Sequence, residues 1–377
     1  MKKIIINIIL LGALLFVINQ VIHAYFLPFT WGDEDLHTKM VHYKANKDDY
    51  TAVVVGGSLE YRHINPEIID SICQQNGIDF RLFNAGGDGV AYLHEVRVLE
   101  EILKDPSPNL KYAFISLSST VRFKYLNLHT KRFASWQRPQ DMVRAITLTW
   151  ELRLPLKEKL KYTWYYFITM IENGFNIGFL TSAIESLNHP KTVYNSVSLG
   201  DKKNGFFPYD EEEKLVFEEG TSEQKMKEMM LLSHQYYNER KSQRDSMLQQ
   251  NIEEFKNYDE TYVLKSMVKR YNKLIQTCED KGIKLIVLLP PRGREPYTQL
   301  IPTFNALPDN HKINIASPIE YPEFYLPENN YNFHHLNLKG ANIYTEVLAK
   351  KFLQLQGIEI QVETPENPII PLEKEDE

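Results

Sequence analysis

Ser58, at the end of the stretch VVVGGS (53–58), has the side chain best placed for nucleophilic chemistry. Three β-branched residues read as a strand and two glycines break it, so the serine falls on a strand-to-helix corner. A hydroxyl there projects over the sheet edge, and the first turn of a helix offers unpaired N–H groups to an oxyanion. Serine needs a base to become nucleophilic. His335, in the loop NFHHLNLKG (332–340) just ahead of a helix, is the expected partner from far along the chain. Taken singly, Ser58 reads as an N-cap and His335 as a loop residue; together, in a parallel α/β topology, they favour catalysis.

Other residues fall at the same sheet edge. Arg292 and Arg294 in PPRGR (290–294) could clamp an anionic polymer or stabilise a developing charge, or be solvated loop residues. Arg62 and His63, just past the serine, could line the same cleft. Asp88 in NAGGDG (84–89) reads as a turn residue rather than a catalytic acid. That loop lacks a complete Gly-x-Gly-x-x-Gly pattern and a phosphate-binding lysine, so a nucleotide cofactor is not expected. Adjacent His334 and His335 lack both helical spacing and a third ligand, so no metal is expected.

The elements that must position these residues form an α/β series. Strands are predicted over Ala52–Val55, Arg81–Phe83, Tyr112–Leu117 and Ile283–Leu289. Asn65-Pro66-Glu67 is a helix start, with Ile69, Ile72 and Cys73 on its buried stripe. Further amphipathic helices run through Leu93–Leu103, Leu264–Cys278 and onward from Leu338. This order predicts a doubly wound parallel sheet in a three-layer, flavodoxin-like arrangement. Ligands bind beyond the carboxyl ends of such strands, where GGS, NAGGDG, SLSST (116–120) and PPRGR all land.

The 377 residues, 43% apolar and 12% aromatic, suffice for a substantial core. A net charge of −6 argues against nucleic-acid binding. Cys73 and Cys278 read as buried structural thiols. Lys2 and Lys3 precede an apolar run from Ile4 to Ile22, the length of an uncleaved signal anchor, which is favoured over a cleaved signal peptide, with the N-terminus inside and the body outside. The chain is expected to divide into an anchor (1–27), a linker (28–48), a first α/β half (49–121), a mainly helical insertion (122–258), a second half (259–358) and an acidic, disordered tail (359–377). Residues 161–180 are aromatic and apolar, but Glu172, Asn173 and Asn176 argue against a second span. They read as a cap over the sheet or a membrane-facing surface. Residues 209–258 read as solvated helix without chemistry.

The three blocks GGSLEYRHI, NAGGDG and NFHHLNLKGA, in this order over roughly 50–122 and 263–355, resemble those of the SGNH (GDSL-like) hydrolase superfamily. The resemblance implies Ser58 as nucleophile, His335 as general base, and the Ser58 and Gly86 amides as oxyanion donors. Two positions depart from the pattern. The orienting aspartate falls on Asn332, which can still accept the imidazole N–H; in a Ser-His-Asp framework the exchange can favour the wrong tautomer and cost about 10⁴ in rate. The third block reads Ser118-Ser119-Thr120-Val121, leaving Thr120 or Ser119 to donate through a hydroxyl.

The layout is similar to that of membrane-anchored proteins of surface-polymer acylation, such as the D-alanine transfer and alginate O-acetylation types. It implies an O-acyltransferase or esterase at a bacterial-type cytoplasmic membrane, acting on acyl, notably acetyl, groups through an acyl-serine. Its partners would be a cell-surface glycan and a membrane-bound O-acyltransferase. An alternative from another class is an inactive scaffold that binds glycan or recruits that acyltransferase.

Overall fold

A computed structural model describes residues 2–90, 92–118, 128–136, 138–188, 196–293 and 297–358. Five strands form one parallel sheet: β1 (Ala52–Val55), β2 (Leu82–Asn84), β3 (Tyr112–Ser116), β4 (Lys284–Leu289) and β5 (Lys312–Asn314), in the order β2-β1-β3-β4-β5. Register runs straight across the centre, with Val54 opposite both Asn84 and Phe114, and Phe114 opposite Ile286. The short strand β5 was not expected from the sequence. Its Lys-Ile-Asn core buries one apolar side chain, too little for a periodic signal.

The central strands are apolar throughout because both faces are covered. Val53, Val55, Ile115 and Val287 pack on one side with Leu99, Met267, Tyr271 and Cys278, from helices Tyr92–Ile102 and Lys265–Glu279. Val54, Phe114, Ile286 and Leu288 pack on the other with Ile69, Cys73, Tyr344 and Phe352, from helices Pro66–Gln75 and Leu338–Leu355. The two cysteines lie in these layers as free thiols, and burial pushes both up to about 12.

Residues 28–48, expected as a linker, contain the packed helix Glu34–Asn46. Asp33 caps it by accepting the Leu36 N–H at 3.0 Å, and Leu36, Met40 and Tyr43 enter the core. The signal was present: an N-cap aspartate, two acids in the first turn and apolar residues at i, i+4 and i+7. Between β3 and β4 the described residues form helices, among them Pro139–Glu151, Leu156–Gly174, Leu180–Asn188, Ser222–Glu239 and Lys241–Lys256. The N-terminal helix Lys2–Tyr25 is long and apolar enough to cross a membrane, and none of its residues is fully buried. The expected disordered tail lies outside the described residues.

Candidate active site

Ser58 is the first residue of the short helix Ser58–His63, which begins directly after β1. The corner requires glycine. A Cβ on Gly56 would meet the Glu60 carboxylate at 2.2 Å, and one on Gly57 would meet the Val90 carbonyl at 2.8 Å. Glu60 fastens the turn from within: its Oε2 accepts the Gly57 N–H at 2.8 Å and its Oε1 accepts the Ser116 hydroxyl. Burial raises the Glu60 carboxyl, against the pull of Arg292.

The His335 ring reaches back across 277 positions to this corner. Its Nε2 lies 2.8 Å from Ser58 Oγ, and its Nδ1 lies 3.0 Å from Asn332 Oδ1. His63 aligns the two segments by accepting the Leu336 N–H at Nε2, 2.9 Å away, and Thr345 donates to the His63 carbonyl. His63, which the sequence allows to line the cleft, is buried, fastens the serine helix to the histidine loop and lines a neighbouring cavity with Arg292 and Asn332.

The amide of Asn332 decides the tautomer. Its Oδ1 also accepts the backbone N–H groups of His334 (2.9 Å) and His335 (3.0 Å). An amide nitrogen facing those donors would leave three donors confronting one another, so the oxygen must face Nδ1. Nδ1 therefore carries the proton and Nε2 presents its lone pair to Ser58. The asparagine gives the productive tautomer here, but supplies no charge to stabilise an imidazolium. Burial accordingly brings His335 down to about 3; Asp88 opposes this, while His334 and Arg62 reinforce it.

Arg62, expected to bind substrate, is buried and held by several partners, although its Nε has none. It pairs with Asp88 and, at 2.5 Å, with Glu212, and donates to the Phe207 carbonyl at 2.8 Å. The rings of Tyr61 and Tyr209 lie 4.1 Å and 4.3 Å from its guanidinium carbon. Burial opposes ionisation of Asp88, and the Arg62 guanidinium overcomes it, leaving that carboxyl below its ordinary value. Arg62→Met would strand two partly buried carboxylates. The expected cost is about 3–5 kcal/mol, read by urea denaturation of the detergent-solubilised chain; a loss below about 1 kcal/mol would show the cluster to be solvated.

Two cavities meet at the Ser58–His335 pair. The smaller, of about 160 Å³, is lined by Glu60, Glu95, Ser118 and the buried Arg292. The larger, of about 530 Å³, is lined by Arg62, Asp88, Gly89, Tyr209 and a wall of Met226, Met229 and Met230. Arg292 thus lies at the site and is not a solvated loop residue. Gly86 is not placed as expected: its N–H is taken by Asn84 Oδ1 at 3.0 Å, its carbonyl accepts Lys39 Nζ, and it lines neither cavity. Gly89, with φ of +68°, does line the larger one. Thr120 and Arg294 lie outside the described residues.

Sequence reading missed Glu60, Glu95, Tyr209 and Glu212. Glu95 carried a signal, an acid set between Tyr92 and Leu99 on the apolar stripe of its helix; its Oε2 accepts the Ser118 hydroxyl at 2.7 Å. Tyr209 and Glu212 belong to a segment to which no chemistry was assigned, yet the Tyr209 ring packs edge-on against His335 at 4.9 Å. Among the described residues no group of three His, Cys, Asp or Glu side chains could hold a metal ion. No protein-family model and no curated protein matches the chain.

Proposed function

We propose that this is an SGNH-like O-acyltransferase or esterase, anchored by its N-terminal helix with the body outside the cytoplasm. In this reading its sheet is the doubly wound core of that superfamily and residues 122–258 are a helical insertion. The observation that carries the reading is the chain Ser58 Oγ–His335 Nε2, His335 Nδ1–Asn332 Oδ1, at the junction of two cavities.

Ser58 Oγ attacks an acyl carbonyl as its proton passes to His335 Nε2. The tetrahedral oxyanion rests on the Ser58 N–H at the start of its helix. Collapse expels the donor alcohol, which takes the proton from Nε2 and leaves acyl-Ser58. A hydroxyl of a cell-surface glycan, or water, then gives its proton to His335, attacks the ester and releases Ser58. Two cavities opening on one serine provide separate places for donor and acceptor, which favours transfer; a membrane-bound O-acyltransferase is the partner that would deliver the acyl group.

The test is turnover of a chromogenic acetyl ester with and without a glycan acceptor, with mass spectrometry of the acyl-enzyme. Because His335 must be neutral to accept a proton, and its value is near 3, kcat/KM is expected to be level from pH 5 to 8. An acid limb centred near 6.5 would contradict this electrostatic picture. One observation favours a second reading, a glycan-binding scaffold without turnover: His335 has an uncharged partner and is a weak base. No acyl-enzyme and no turnover, with glycan binding intact, is the outcome that selects it.

A further inference from the structure

A third cavity, of about 460 Å³, lies away from Ser58, between the foot of the N-terminal helix and the body. Gln20, His23 and Ala24 line it on the helix side, and Asn173 and Gly174 belong to its wall. Phe29, Trp136, Met142 and Met170 make it partly apolar, while Arg97, Lys104 and Arg138 bring cationic groups to it. Its volume falls within the roughly 300–1,000 Å³ usual for small-ligand sites.

We propose that this cavity binds the phosphate-bearing headgroup of an anionic membrane lipid, held by Arg97, Lys104 and Arg138. Depth is the first argument. The apolar run Ile4–Ile22 spans about 28 Å as a helix, matching the hydrocarbon layer, so Gln20–Ala24 fall at its edge, where lipid phosphates lie. The contact is specific. Asn19 Nδ2 donates to the Gly174 carbonyl at 2.7 Å, His23 Nε2 lies 2.9 Å from Asn176 Oδ1, and the Phe16 ring stacks edge-on against Phe175 at 5.6 Å. A Cβ on Gly174 would strike Phe16 at 2.2 Å.

Charge is the second argument. Arg138 pairs with Glu100 and Asp141, Lys104 with Glu101, and Arg97 reaches Glu101 only at 3.5 Å. Arg144 and Arg270 share Asp141 and Glu100 as well, so five cations divide three carboxylates. The buried Arg97 Nε has no hydrogen-bond partner. An anion with several acceptor oxygens answers both the excess charge and the unpaired donor.

The third argument separates a lipid from free phosphate. The helices that follow the cavity expose an apolar stripe, Leu156, Leu160, Trp164 and Phe167, continued by Leu180 and Ile184. Lys157 and Lys161 flank it, also exposed. Aliphatic and aromatic residues edged by lysine are the surface of a helix lying in a headgroup layer. The proposal rests on Lys2–Tyr25 crossing a bilayer, and is independent of the acyl chemistry at Ser58.

The test uses the full chain in nanodiscs containing equal phosphatidylcholine and phosphatidylglycerol, with retained lipid read by native mass spectrometry. Phosphatidylglycerol is expected to be retained preferentially by about tenfold, the worth of one charge-assisted hydrogen bond. The preference should vanish in Arg97→Gln/Lys104→Gln and return in Arg97→Lys/Lys104→Arg. Inorganic phosphate should not displace the lipid. Equal retention of the two lipids by the unmodified chain overturns the proposal, as does a preference that survives the double glutamine change. Displacement by inorganic phosphate would assign the cavity to free phosphate instead. A chain that fails to enter nanodiscs refutes the membrane span and the lipid site together, and acetyl-ester turnover measured alongside reports on Ser58 separately.

Discussion

Replacing Ser58 by alanine is expected to lower turnover of an acetyl ester by at least about 10³-fold and to abolish the acyl adduct on the Ser58 peptide. Where a complete triad operates, loss of its serine costs about 10⁶ in kcat, with the remaining rate coming from oxyanion binding alone. In the proposed mechanism the loss is smaller because the starting point is weaker: burial brings the histidine that would activate Ser58 down to about 3, and its partner is neutral. The substitution removes one hydroxyl from a part-exposed position and one hydrogen bond to His335, so the chain keeps its fold. Equal rates for the two proteins, at matched unfolding midpoints, would remove Ser58 from the chemistry and leave the scaffold reading.

The second large effect is a gain. Asn332→Asp places a carboxylate where Asn332 Oδ1 now lies 3.0 Å from His335 Nδ1 and accepts two backbone N–H groups, contacts a carboxylate oxygen can also make. An opposite charge at this distance raises a histidine by about 1–3 pKa units. The imidazolium formed during attack is stabilised by the same interaction. kcat/KM is expected to rise about 10–100-fold, with an acid limb moving up from about 3 towards about pH 4–6. The sign follows from the charge: a raised histidine is protonated over more of the acid range, so the variant loses activity at a higher pH than the native protein. A folded variant with unchanged rate would show that imidazolium stabilisation does not limit turnover.

The comparison of Asn332 with the usual aspartate illustrates what the sequence could and could not convey. The positions of Ser58 and His335 follow from local patterns: a β-branched run broken by glycine, and a polar loop ahead of an amphipathic helix. The tautomer does not, because it depends on which way one amide faces, and that is set by the backbone N–H groups of His334 and His335. Four of the five strands were legible from apolar runs, whereas β5 has too few buried side chains to register. The helix Glu34–Asn46 was legible in its cap and spacing but hidden by its polar composition; Lys39, a fully buried lysine on it, has no sequence signature at all. Arg62 does line the larger cavity, but its pairing with Glu212 was not legible, because that carboxylate lies in a distant segment with no local tie to it. Gly86 failed because the buried Asn84 side chain folds back upon its amide.

The segment around residues 204–212 also guards the sheet. β2 is an outermost strand, and its unpaired side would offer a template to another chain. The Asn84 N–H is instead occupied by the Asn204 carbonyl at 2.8 Å, and Lys39 bridges the carbonyls of Gly86 and Gly205. No side chain fits at Gly205, where a Cβ would lie 1.9 Å from the Asn84 carbonyl. The chain's own backbone at Asn204 thus occupies part of the β2 edge, where another strand could pair.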